Sequence, residues 1–218
     1  MLKRRNGVAA ILSLLMATAA WGSMAGDGAS GNSTDAVSGA WAERVQILYQ
    51  EDSRSVVRRK VRVWDPHPEK NLDFVWEPEK GEATAGLAPD GAVSGRGKLI
   101  WRVKGSASYD PRTVYSVYSG EMRDGRAEGT GRLEIRSGEV FEGTWRAGML
   151  DGEGLHIDAK GNRYEGSFLA GRAHGQGRLM LRNGEIYAGP FVDGMRHGKG
   201  RVTLAGGTSY ESVWERDR

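Results

Sequence analysis

YSGEMRDGRAEGTGRLEIRSGEV (118–140), FEGTWRAGMLDGEGLHIDAKGNR (141–163), YEGSFLAGRAHGQGRLMLRNGEI (164–186) and YAGPFVDGMRHGKGRVTLAGGTS (187–209) follow one another without a gap, and YESVW from Tyr210 opens a fifth, truncated unit. The aromatic residue at the head of each, Tyr118, Phe141, Tyr164, Tyr187 and Tyr210, returns every 23 residues. A period of that size marks a repeat architecture whose single unit is too small to bury a core, so the units must stack.

The frame of a unit is aromatic-x-Gly-x-large, x-x-Gly, x-x-x-Gly-x-Gly, a short alternating run, and one more Gly. Side chains alternate along a strand, so Tyr118, Gly120 and Met122 share a face. The same holds for Phe141, Gly143 and Trp145, for Tyr164, Gly166 and Phe168, and for Tyr187, Gly189 and Phe191. Bare backbone between two large side chains leaves room for a neighbouring ring over the glycine. Gly125, Gly148, Gly171 and Gly194 mark one reversal of the chain, and Gly138, Gly161, Gly184 and Gly207 a second. Each unit therefore reads as a two-stranded hairpin, marginal by itself. The expected fold class is all-β, an open solenoid of stacked β-hairpins with an N-terminal capping segment.

In three units the second strand alternates, with Leu133 and Ile135, Leu179 and Leu181, and Val202 and Leu204 on one side, and Arg132, Glu134, Arg178, Arg182 and Arg201 on the other. The second unit has His156 and Asp158 at the apolar positions. Unpaired buried polar groups are costly, so a local shift or bulge of that strand is expected, with polar groups at a solvent-open part of that face as the alternative. A worn unit precedes the regular ones: Thr84, Gly86, Ala88, Gly91, Gly95, Gly97, Leu99 and Trp101 copy the spacing from Tyr118 to Ile135 at an offset of 34, one period plus an 11-residue insertion around Gly105 to Pro111.

This frame resembles the membrane occupation and recognition nexus (MORN) repeat, Tyr-x-Gly-x-Trp, x-x-Gly, x-x-x-Gly-x-Gly, over Tyr118 to Trp214, with Met122, Pro190 and Ser212 as departures. The resemblance implies an elongated sheet of hairpins serving as a scaffold, a protein-binding or dimerisation module, or a lipid-binding module. Pro190 and Ser212 point to an irregular, capping C-terminal end.

Ahead of the repeats, Lys3, Arg4 and Arg5 precede an apolar run from Val8 to Trp21 and small residues at Ser23 and Ala25, the three-part form of a secretory signal peptide. An uncleaved anchor is the alternative. The segments are read as a signal peptide at 1–25, a flexible lead at 26–39, a β cap segment at 40–83, the worn repeat with its insertion at 84–117, and four regular repeats plus a truncated one at 118–218. With no cysteine in the chain, export to the periplasm or secretion is the expected address. The net charge of +3 disappears with Lys3, Arg4 and Arg5, so nothing pulls the remainder towards nucleic acid. In the cap segment, WAERVQILYQ from Trp41 reads as a strand pair or a short helix, and VVRRKVRVW from Val56 to Trp64 as a strand. Arg58, Arg59, Lys60 and Arg62 read as the solvated side of an edge strand, with anionic headgroups as the alternative.

No catalytic, cofactor or metal set is indicated. Gly-x-Ser-x-Gly is absent, and the Gly-x-Gly pairs lack the following helix of a nucleotide loop. His174 and His197 lie one period apart, in phase with Asp151, and read as a surface ladder in preference to a metal site. The expected function is that of an exported, non-catalytic scaffold or protein-binding module. Its binding surface would carry Arg132, Arg136, Arg178, Arg182 and Arg201 with His174, His197 and exposed aromatics. The alternative is a lipid-headgroup or cell-wall glycan-binding module, and self-association is compatible with either.

Overall fold

The computed structural model describes residues 39–50, 54–79, 88, 90–107 and 110–218. The signal segment and all of the lead before Gly39 lie outside the described residues, as do Thr84 and Gly86.

Turn chemistry sets the architecture. At each first reversal two successive residues have positive φ: Asp124 and Gly125 (49° and 75°), Ala147 and Gly148 (50° and 88°), Ala170 and Gly171 (48° and 78°), and Asp193 and Gly194 (51° and 85°). This is the type I′ geometry whose twist matches that of the flanking strands. The strands it joins are β5 (Val114–Arg123) with β6 (Arg126–Ile135), β7 (Val140–Arg146) with β8 (Met149–Ile157), and β9 (Arg163–Leu169) with β10 (Arg172–Met180). β11 (Ile186–Val192) is followed by the short β12 (Met195–Arg196) and by β13 (Gly198–Thr203), and β14 (Ser209–Trp214) is last. With β3 (Leu72–Pro78) and β4 (Gly95–Val103) they form one open antiparallel sheet, β14-β13-β11-β10-β9-β8-β7-β6-β5-β4-β3, with β12 paired to β11 beside this path.

The rings interlock neighbouring hairpins. Tyr118 meets Trp145 of the next unit edge-on at 5.4 Å, Tyr164 meets both Phe168 (5.1 Å) and Phe191 (4.9 Å), and Tyr187 meets Phe191 (5.2 Å) and Trp214 (6.0 Å). Such edge contacts contribute about 0.5–1.5 kcal/mol each beyond area burial. The turns also lean on the preceding unit: Gly125 N–H donates to Val93 O (2.7 Å), Gly148 to Ala127 (2.9 Å), Gly171 to Leu150 (2.8 Å), Gly194 to Ala173 (2.8 Å) and Asp217 to Arg196 (3.0 Å). Val93 thereby places the worn unit in the same series.

Two readings need correction. The worn unit does pair as its glycines require, Gly97 opposite Gly120 and Leu99 opposite Tyr118. Its first strand, however, is β3, where Trp76 faces Leu99 as Tyr118 faces Leu133. Trp76 fills the aromatic place, because register follows the large inward side chain; Thr84, which the spacing put there, lies outside the described residues. The second correction concerns β8, which shows no shift at its polar positions: His156 lies opposite Phe141 and Tyr164 in the register that Leu179 keeps with Tyr164 and Tyr187. His156 is only 3% exposed and stacks flat on Phe141, with centroids 4.2 Å apart. Asp158 leaves the core for the turn, where Oδ1 accepts from Lys160 N (2.8 Å) and Asn162 N (2.9 Å), and Oδ2 from Asn162 Nδ2 (2.7 Å).

The cap segment is a separate hairpin, β1 (Ala40–Gln50) with β2 (Ser55–Asp65). The stretch from Trp41 is thus one strand. The hairpin folds over the first units, burying Val61 and Val63 completely and donating Trp64 N–H to Gly125 O (2.8 Å). Gln46 closes the edge of β3: its Oε1 accepts from Trp76 N (3.1 Å) and its Nε2 donates to Trp76 O (3.2 Å). An amide side chain reproduces the paired bonds of a missing strand. At the other end Arg196 stands where Ala127, Leu150 and Ala173 stand in their units. It is 2% exposed, bonded through Nε to Asp217 (2.9 Å), with its guanidinium 3.4 Å from the Trp214 ring centre.

A candidate binding trough over the glycine row

Hairpin register aligns the glycines into a row across the sheet: Gly97, Gly120, Gly131, Gly143, Gly154, Gly166, Gly177 and Gly189 face one another strand by strand, and Gly200 adjoins Gly189. The rings explain it. A methyl group at Gly131, Gly177 or Gly200 would run into the phenol of Tyr118, Tyr164 or Tyr187. At Gly143 and Gly166, φ of 148° and 150° adds a conformation that L side chains rarely adopt. The phenols donate to backbone carbonyls beside this row, Tyr118 to Glu121 O (2.8 Å), Tyr164 to Ser167 O (2.9 Å) and Tyr187 to Pro190 O (3.1 Å). Burial raises the pKa of all three above the usual phenol value, which keeps the donating proton in place. Phe141 cannot make this bond; in its unit Trp145 Nε1 donates to Gly131 O at 2.9 Å.

On the face away from the rings, the glycine row is the floor of a shallow trough with two stretches. One, about 730 Å³, runs from Gly97 to Gly143 between Arg96, Lys98, Arg132, Glu142 and Thr144. The other, about 720 Å³, runs from Gly166 to Gly200 between Glu165, Gln176, Arg178, Lys199, Arg201 and Glu211. Many of the wall charges are already matched: Arg132 with Glu134 (2.6 Å) and Glu142 (2.5 Å), Arg96 with Glu121 (3.1 Å), and Lys199 with Glu211 (2.8 Å). The Lys199 hydrogen bond holds the Glu211 carboxyl below its usual range. Arg178 and Arg201, on either side of Ala188, are exposed and make no ion pair or hydrogen bond among the described residues.

The structure does not bring all the expected surface residues together. Arg132, Arg178 and Arg201 line the trough, whereas Arg136 and Arg182 sit in the second turns, donating to Arg112 O (2.9 Å) and Lys160 O (3.4 Å). His174 and His197 belong beside the first turns. At the same place in other units Ser94, Glu128 and Asp151 accept from the N–H of Asp124 (3.0 Å), Ala147 (3.0 Å) and Ala170 (3.3 Å). The phase shared with Asp151 therefore marks a turn-capping position. Tyr118, Phe141, Tyr164 and Tyr187 are core residues on the opposite face, and no aromatic ring lines the trough. What sequence reasoning missed is the glycine floor, although its signal, the fixed Gly-x-Gly of every unit, was visible.

The MORN repeat family model matches residues 118–140, 141–163, 164–186 and 187–209, the frames that begin at the four ring positions. These four stretches, 118 to 209, are similar to the MORN repeat. No curated protein matches the chain. Among the described residues no group of three or more His, Asp or Glu is placed to hold a metal.

Proposed function

We propose that the MORN array is an exported scaffold whose trough seats an extended segment of a protein partner. The observation that carries this reading is the trough of main chain along nine aligned glycines, with Arg178 and Arg201 exposed at its wall. Nine strands at their usual spacing span about 38 Å, the length of about a dozen extended residues. The floor between the walls is main chain, and the exposed guanidiniums of Arg178 and Arg201 suit carboxylates of the visitor. The residues lining both stretches include no aromatic ring. A sugar would lack a stacking platform there, which favours a protein segment over a glycan. Export rests on the N-terminal sequence, basic at Lys3 to Arg5 and apolar from Val8 to Trp21.

The test places a photo-crosslinking residue at Ala188, exposed between Arg178 and Arg201, in cells making the full chain. A discrete protein adduct is expected, and it should vanish when Arg178→Glu and Arg201→Glu are added while the thermal unfolding of the chain is unchanged. An adduct indifferent to both reversals, or crosslinks to lipid or wall material alone, would overturn the reading.

A further inference from the structure

Cross-strand register sets Glu142, Leu155, Glu165, Arg178, Ala188 and Arg201 side by side in one row along the trough wall. Charge in this row is grouped by sign. Leu155 stands between two carboxylates and Ala188 between two guanidiniums, and the members of each flanking pair are two strands, about 10 Å, apart. Leu155 holds the place that Arg132, Arg178 and Arg201 hold in their units. The exchange is the counterpart of the buried His156: β8 keeps its register, so side chains that alternate along it turn an aliphatic group to the trough where the other units turn a cation.

The two groups also differ in net charge. Around Leu155, Glu134 and Glu142 share Arg132, Glu165 accepts from Arg163 Nε (2.7 Å), and Glu153 accepts from the Ser167 hydroxyl (2.6 Å), so carboxylates outnumber cations. Around Ala188 the excess is positive: Arg178, Lys199 and Arg201 line the trough with Glu211, which Lys199 holds at 2.8 Å. The carboxylates on the far side of the two arginines, Glu165 and Glu211, are thus each bonded to a different cation. Between the arginines only the exposed methyl of Ala188 intervenes.

On the footing that the trough seats a protein segment, we propose that it selects one carrying a basic and an acidic side chain four residues apart, the basic one over Leu155 and the acidic one over Ala188. Three strand spacings separate these two places, about 14 Å, and four extended residues cover about the same length. Side chains four apart in an extended chain also point the same way, so both enter this wall together. A lysine or arginine stem fits along Leu155 with its head between Glu142 and Glu165, whose Oε1 and Oε2 respectively carry no hydrogen bond among the described residues. A carboxylate over Ala188 lies between two guanidiniums. A wholly acidic segment would meet Glu142, Glu153 and Glu165, and a wholly basic one Arg178 and Arg201, so a visitor of mixed charge is favoured over both.

The test measures fluorescence anisotropy of labelled peptides of about a dozen residues, on one serine and threonine frame, with the full chain. The peptides carry Lys and Glu four apart, Lys and Lys four apart, Glu and Glu four apart, or Lys and Glu adjacent. The first should bind about tenfold tighter than each of the others. With Arg178→Glu and Arg201→Glu together, the preference should pass to the peptide with two lysines. Leu155→Arg, which installs the cation of the other units, should erase the advantage of the first peptide over the one with two glutamates. The unfolding midpoint should be retained in both variants, and a merely structural effect would weaken all the peptides alike. Equal affinity for the four peptides, or variants that keep the wild-type order, would overturn the charge pattern and leave the trough as a seat for protein. Absence of binding by every peptide while the Ala188 photo-adduct still forms would overturn the pattern likewise; loss of that adduct as well would remove the trough reading itself.

Discussion

Acid should loosen the array at its second hairpin. His156 holds in β8 the core place that Leu133 and Leu179 hold in the neighbouring units, stacked on Phe141, and its Nε2 has no hydrogen-bond partner among the described residues. The groups facing it from β7 and β9, Phe141 and Tyr164, are uncharged at neutral pH, and Asp158 on its own strand favours the proton. Burial outweighs that attraction and pushes the imidazole down to about 4 from its ordinary 6.5. The unfolded chain therefore takes up a proton at higher pH than the folded one. The contribution is intact above about pH 6.5 and is lost as the pH falls through 6.5 to 4, a gap of about 2.5 pH units at about 1.4 kcal/mol each, or about 3 kcal/mol. Other carboxylates titrate in the same window, so the quantity to measure is a difference. Urea unfolding of the wild-type chain and of His156→Leu should show the variant at least equal in stability at pH 7.5, since leucine leaves no buried nitrogen unpaired. By pH 4 the variant should lead by a further 3 kcal/mol or so. A lead that is the same at pH 7.5 and 4, or an NMR titration that puts the His156 ring at 6 or above, would refute the argument.

Two further outcomes follow from the fold. Gly166→Val forces a β-branched side chain on φ 150° and sets its Cβ 2.5 Å from Gln176 O and 2.6 Å from Gly177 Cα, backbone that cannot yield; the unfolding midpoint should fall by the equivalent of about 3 kcal/mol or more. Gly138→Ala, with φ 94° but open space around it, should cost about 1–2 kcal/mol, and equal losses for the two would show that interior clearance is not what selects glycine in the row. At the C-terminal end, Asp217→Ala strands the buried Arg196 guanidinium and should cost about 3–5 kcal/mol in urea. Arg196→Leu with Asp217→Ala, which copies Leu150, should recover most of that; a double variant as unstable as the single one would mean that the ion pair is not the cause.

Sequence alone determined the local rules of the stack. The 23-residue return of the rings, the paired positive-φ positions at the turns and the glycine between two large residues each act within one hairpin, and each appears in the structure where the spacing put it. Periodicity also carried the reading from one unit to the next, because identical units can stack in one way only if their registers agree. The tertiary structure decided the rest, where distant residues compete for one place. Trp76 could take the aromatic place of the worn unit because only the packed sheet shows which large side chain reaches Leu99. His156 could remain in register because Phe141 offers it a flat face, whereas the sequence shows only its polarity. The arginines divided between trough and turns through cross-strand neighbours that lie far apart along the chain or across a reversal. Short-range sterics are written in every unit and can be read there, while burial and pairing are properties of the whole sheet and exist only once it has formed.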